Sequence, residues 1–149
     1  MKPFLLPLLL SVAFIAGVSG LAQESIPRTA LGAKTIAILN DTKTGDVLDG
    51  ALEQLKRWGH FTVVDDTDSA DIVLRFDKKT DREKQNSQST DDKGTTSYSG
   101  TMTFSSQVHM RAYLKGADSP FYTTKTDDSK KKAGINCVAS FEKAWIETR

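Results

Sequence analysis

Few side chains in this sequence could perform chemistry. They are one cysteine, Cys137, two histidines, His60 and His109, and an acidic run at Asp65, Asp66, Asp68 and Asp71. A thiol beside an imidazole could act as a nucleophile, with the ring nitrogen taking the thiol proton. Nothing in the spacing brings Cys137 to either histidine. A lone histidine could act as a base only with a nucleophile at hand, and both read as solvated surface side chains. Asp66-Thr67-Asp68 has the opening pattern of a calcium loop, which also requires Gly at its sixth position and Glu at its twelfth. Asp71 and Asp77 stand there instead. The acidic run therefore reads as a hairpin turn between two strands, with Asp and Ser bonding their own backbone.

Sequence motifs add no reaction. There is no Gly-rich phosphate loop, GxSxG elbow, HExxH or CxxC. No catalytic residue, no cofactor site and no metal ligand set is assigned. One cysteine excludes an internal disulfide framework and a zinc site of several thiolates. Cys137 lies in an apolar helical stretch and reads as buried, with a free thiol or a bridge to another chain as alternatives. Lys130-Lys131-Lys132 could meet phosphate, but Asp127 and Asp128 adjoin it, and it reads as a solvated helix entry. Asn40-Asp41-Thr42 fits the N-glycosylation pattern, which matters only in a host with that machinery. The remaining candidate is a row of polar side chains at Gln107, His109, Arg111 and Tyr113, which would form an interaction surface.

That row depends on a strand. From Thr101 to Lys115, a predicted strand, Met102, Phe104, Val108, Met110, Ala112 and Leu114 fall on even positions, and Thr101, Thr103, Ser105, Gln107, His109, Arg111, Tyr113 and Lys115 on odd ones. This period of two means one buried and one wet face. Four further strands are predicted at residues 34–39, 61–64, 71–76 and 121–126. Val47, Leu48, Ala51, Leu52, Leu55 and Trp58 make an apolar stripe and predict a helix over 46–58. Thr44 or Asp46 would cap it at the start, and Gly59 at the end. Val138, Phe141 and Trp145 predict a second helix over 133–147. The tryptophans of both helices read as core.

The element order is β-α-β-β-β-β-α, an α+β domain with a mixed five-stranded sheet and two helices packed on one face. The first three elements suggest a crossover, and the later strands suggest hairpins. Residues 23–33 read as a flexible N-terminal arm and 34–149 as a single domain. Residues 77–97 carry no apolar side chain, so they cannot feed a core. They read as a mobile polar loop, with a solvated hairpin arm as the alternative.

Composition agrees with a single folded domain. The chain has 149 residues, 20 basic and 19 acidic, for a formal charge of +1. That balance argues against nucleic acid or an anionic membrane surface as partner. Residues 1–22 predict a signal peptide, with Lys2, then an apolar run to Ala16, then small residues ending in Gly20-Leu21-Ala22. The apolar run is short of the roughly 20 residues a spanning helix needs, so no integral membrane segment is expected after cleavage.

Residues 34–76 carry a resemblance. A strand ending in Asn40-Asp41, an amphipathic helix, Leu55-Lys56-Arg57-Trp58-Gly59, then Phe61 to Asp66 and Ala70-Asp71-Ile72-Val73-Leu74 together resemble small exported bacterial proteins of unknown function. The Ala-Asp-then-apolar strand is similar to one in the curli secretion-channel lipoprotein. It is similar also to one in the N-terminal domain of the Tol-system translocation protein, and to auxiliary lipoproteins of transport systems. Those families often carry a lipid-bearing cysteine, which this chain lacks. The resemblance implies a binding or assembly domain of the cell envelope. The expectation is thus an exported, periplasmic or extracellular, non-enzymatic protein that contacts an envelope protein partner. A small-ligand or cell-wall-binding module is the alternative, and a secreted hydrolase a further one.

Overall fold

The structure, a computed structural model, describes residues 25–149, except for the side chains of residues 82–87, 98–99 and 101–104. The signal-peptide expectation at 1–22 lies outside the described residues. The elements are β1 (Thr35–Asn40), α1 (Gly45–Trp58), β2 (Thr62–Val63), β3 (Ile72–Thr90), β4 (Thr96–Leu114), β5 (Tyr122–Thr126) and α2 (Lys130–Thr148). The five strands form one mixed sheet in the order β2-β1-β3-β4-β5. β1 pairs in parallel with β2 and β3, whereas β3–β4 and β4–β5 are antiparallel. The α+β class and the element order are as the sequence predicts.

Alternation decides the layers. Ile36 of β1, Ile72, Leu74 and Phe76 of β3, and Val108, Met110 and Ala112 of β4 are buried together. Val47, Ala51 and Leu55 of α1 and Ala133, Cys137, Val138, Phe141 and Trp145 of α2 cover them. Trp145 is 1% exposed, and Trp58 packs edge-on against it with ring centroids 6.1 Å apart. Gly59 closes α1 as predicted, in the left-handed region at φ 69°, its N–H bonded to the Leu55 carbonyl. Thr44 sits at the N-cap, yet its side chain caps no helix amide.

Three expectations change. First, the link after β2 is a crossover and not a hairpin, because β1 lies between β2 and β3. Asp71 explains the placement of β3. Its Oδ2 accepts the Lys34 and Thr35 backbone N–H groups at 2.9 and 3.1 Å. The Asp71 N–H in turn donates to Thr35 Oγ1 at 2.9 Å. Those bonds hold the Asp71 carboxyl below the usual carboxylate range, the Lys34 amide contributing most. Second, the described part of the lead, residues 25–33, is no free arm. Ile26 is 2% exposed and Ala30 is fully buried. A turn closes between them, with the Ala30 N–H on the Pro27 carbonyl at 2.9 Å. Ile26 and Ala30 join the core and Leu31 and Ala33 pack against it, which anchors the lead.

Third, the polar stretch is not a mobile loop but strand, the hairpin arm that was its alternative. β3 and β4 stay in one unbroken register from Ile72↔Leu114 to Thr90↔Thr96. Their pairing runs far past β1, which ends opposite Phe76, and past β5, which ends opposite Val108. The result is a two-stranded ribbon that projects about 40 Å from the sheet at about 3.3 Å per residue. Its turn is built by Asp91. The Asp91 Oδ1 accepts the Lys93 and Thr95 N–H groups at 3.1 and 2.8 Å, and Gly94 takes a positive φ of 77°. Asp-Asp-Lys-Gly is the signal for this hairpin.

Candidate interaction surface

β4 places the four predicted residues in a row. Gln107, His109, Arg111 and Tyr113 share the face turned away from the helices, and all are half-buried. β3 sets Lys79, Asp77, Arg75 and Val73 opposite them in turn. β5 sets Lys125 beside His109 and Thr123 beside Arg111. No described helix covers this side of the sheet.

Two of the four are already engaged. Arg75 and Arg111 oppose each other directly, an unfavourable pairing in itself. Each is relieved by its own carboxylate. Arg75 Nε donates to Asp41 Oδ2 at 2.7 Å, and Arg111 donates to Asp77. The Asp41 contact raises the Arg75 pKa further above its ordinary value. Gln107 donates to Asp127 Oδ1 at 2.8 Å. His109 and Tyr113 make no side-chain hydrogen bond among the described residues. The second oxygen of Asp77 is buried and without a partner among the described residues.

Beside Tyr113 the face becomes apolar. Leu39, Val73 and Tyr113 floor an open groove of about 520 Å³, walled by Thr67, Asp68 and the Gly116–Asp118 turn. Leu39 is 40% exposed there. The volume falls within the range of ligand sites. The polar groups around it are Arg75, already paired, with Lys115, Asp68 and Asp118 on the rim.

The other candidates are scattered. Cys137 is 1% exposed inside the helix–sheet layer, and burial pushes its thiol up to about 12. His109 lies across the sheet from it. His60 stacks on Trp58 with centroids 5.3 Å apart, and Arg149 approaches its ring at 3.3 Å. Burial first, then the Arg149 charge, lowers the His60 pKa. No thiol–imidazole pair forms. In the acidic run, Asp66 Oδ1 accepts the Asp68 N–H at 2.9 Å, which is turn chemistry. Among the described residues no group of three or more His, Cys, Asp or Glu could hold a metal. Lys131 pairs with Glu53 of α1 and Lys132 with Asp128 just before α2, so two of the three lysines are engaged within the fold. Asn40 of the glycosylation pattern donates to the Thr44 carbonyl at 2.7 Å and accepts from Thr42. No described helix is long and apolar enough to cross a membrane.

The feature that the residue reading held only as an alternative is the ribbon itself. Beyond β5, no described strand pairs with the outer edge of β4, so the backbone groups of Thr96 to Ser106 on that side have no strand partner.

Comparison with known proteins yields structures only. No family model matches the sequence, and no curated protein matches it. Among solved structures, the chain is similar to PelC from Paraburkholderia phytofirmans, a dodecamer, at 15% identity and TM-score 0.44. The match covers 81% of this chain and 92% of that one. It is similar also to a PDZ domain protein from Parabacteroides distasonis at 13% identity and TM-score 0.37. That match covers 71% of this chain and 30% of the other. The chain thus spans less than a third of the PDZ protein's length.

Proposed function

We propose that this chain is an exported, non-enzymatic assembly domain of the cell envelope that binds a protein partner through its β3–β4 ribbon. One observation carries the reading: a two-stranded ribbon whose pairing extends beyond that of every other described strand. A lone two-stranded ribbon is only marginally stable in water, and three or more strands are needed for independent stability. An unpaired strand edge is also a template for another chain. The ribbon gains both missing features when a partner adds a strand. The polar face at Gln107, His109, Arg111 and Tyr113 begins where the ribbon leaves the sheet, so a partner on the ribbon would reach it.

The test is crosslinking in intact cells of the native host, followed by purification of the tagged protein and mass spectrometry. The matched variant replaces residues 80–106 with Asn-Gly, a two-residue turn that joins the paired Lys79 and Gln107. A crosslinked protein product that disappears in this variant supports the reading. Products that persist unchanged overturn it.

The groove beside Tyr113 supports a second reading, a small-ligand module. It predicts a rise in melting temperature with a glycan or anionic metabolite, since a ligand of the folded state alone stabilises it. A flat response across a broad library would remove it.

A further inference from the structure

Deepening the assembly reading, and resting on it, we infer that the ribbon's partner is a second copy of this chain, joined antiparallel along the outer edge of β4. The two edges of the ribbon differ in charge. β3 carries Lys78, Lys79, Asp81, Arg82, Glu83 and Lys84 on its way out, and charged side chains protect a strand edge from pairing. From Thr96 to Ser106, β4 has no charged residue and no proline. It is rich in Thr and Ser and holds Tyr98, Met102 and Phe104, a composition suited to strand pairing.

An uncharged edge suits an identical partner. In a two-fold pairing, each residue of one copy faces a residue of the same segment in the other. No register of this segment against itself opposes like charges. Pairing through β3 would set lysines and an arginine against one another in many registers. The formal charge of +1 adds little repulsion between whole molecules. Joining two ribbons makes a four-stranded sheet, which meets the strand count an isolated ribbon lacks.

The backbone specifies which amides take part. The Ala112 carbonyl accepts from Phe121 on the β5 side, whereas Lys115 donates to Asp71 on the β3 side. Antiparallel residues alternate in the direction of their N–H and C=O groups. With the register unbroken, the even residues of β4 direct these groups to the outer edge. Tyr98, Gly100, Met102 and Phe104 are therefore the donors, and Gly100 can lose its N–H without loss of a side chain.

The experiment is sedimentation equilibrium of the purified protein over a concentration series, with Gly100→Pro and Gly100→Ala. Proline is tolerated where an edge N–H faces outward. Wild type and G100A are expected to form dimers, and G100P to stay monomeric at concentrations at least tenfold above the wild-type midpoint. Residue-resolved hydrogen exchange of the wild type tests the same contact without a variant. Amides 98, 100, 102 and 104 should gain protection as the protein is concentrated, while their odd neighbours change little. A wild type that stays monomeric, or a G100P that dimerises like wild type, overturns the inference. If the wild type is monomeric while cellular crosslinks still vanish on trimming residues 80–106, a different protein is the partner and the assembly reading survives.

Discussion

Cys137 illustrates how environment sets reactivity. A thiol becomes nucleophilic as its thiolate, and burial moves Cys137 up to about 12. Folded protein at pH 8 is therefore expected to resist iodoacetamide and to react once unfolded in urea. Rapid labelling of the native state would contradict the burial. His60 gives a pH dependence of definite sign. Its pKa in the folded chain lies below the ordinary 6.5, from burial and then the Arg149 charge. Protonation therefore favours the unfolded chain, whose histidine keeps the ordinary value. This contribution leaves stability unaffected above about pH 6.5 and lowers it as the pH falls through the window below that value. The melting temperature should drop between pH 7.5 and 5.5. His60→Gln should show a smaller drop over that interval in calorimetric scans. Neither effect is legible from residue type alone, because each depends on what packs around the group.

At the scale of elements, two glycines decide how the helices meet. Gly50 of α1 and Gly134 of α2 lie inside helices, where Ala would be favoured by about 1 kcal/mol. A Cβ on Gly50 would stand 2.0 Å from the Lys131 carbonyl oxygen, and one on Gly134 2.1 Å from that of Val47. Backbone atoms cannot yield as a side-chain tip can, so overpacking outweighs propensity. Gly50→Ala and Gly134→Ala should each destabilise by about 3 kcal/mol in urea unfolding. Gly45 has open space around it, and Gly45→Ala should be neutral or stabilising. The apolar stripes predicted both helices but carried no sign of this close approach, since a glycine in a helical pattern reads only as a weak position. The open-face row was legible for the opposite reason. Alternation along β4 sorts Gln107, His109, Arg111 and Tyr113 onto one face whatever the neighbouring strands are. Their partners Asp77 and Asp127 were not legible, because those contacts come from strand register.

For the whole molecule, the ribbon and the core are separable. The described buried residues of the core run from Ile26 to Phe76 and from Val108 to Trp145, and none of the described ribbon residues is among them. Replacing residues 80–106 with Asn-Gly should leave the melting temperature within a few degrees of the intact protein, with one cooperative transition. A large loss would mean that the ribbon folds with the core. The sequence by itself determined the α+β class, the order of seven elements and the sided sheet. Periods of two and of 3.6 are imprinted in side chains wherever one face is buried. Tertiary structure alone decided that β1 lies between β2 and β3, that Ile26 anchors the lead, and that residues 77–90 are strand. Residues 77–90 carry no apolar side chain, so no apolar alternation marks them. The pairing is made by backbone groups that every residue shares, so side-chain pattern could not distinguish the ribbon from a loop.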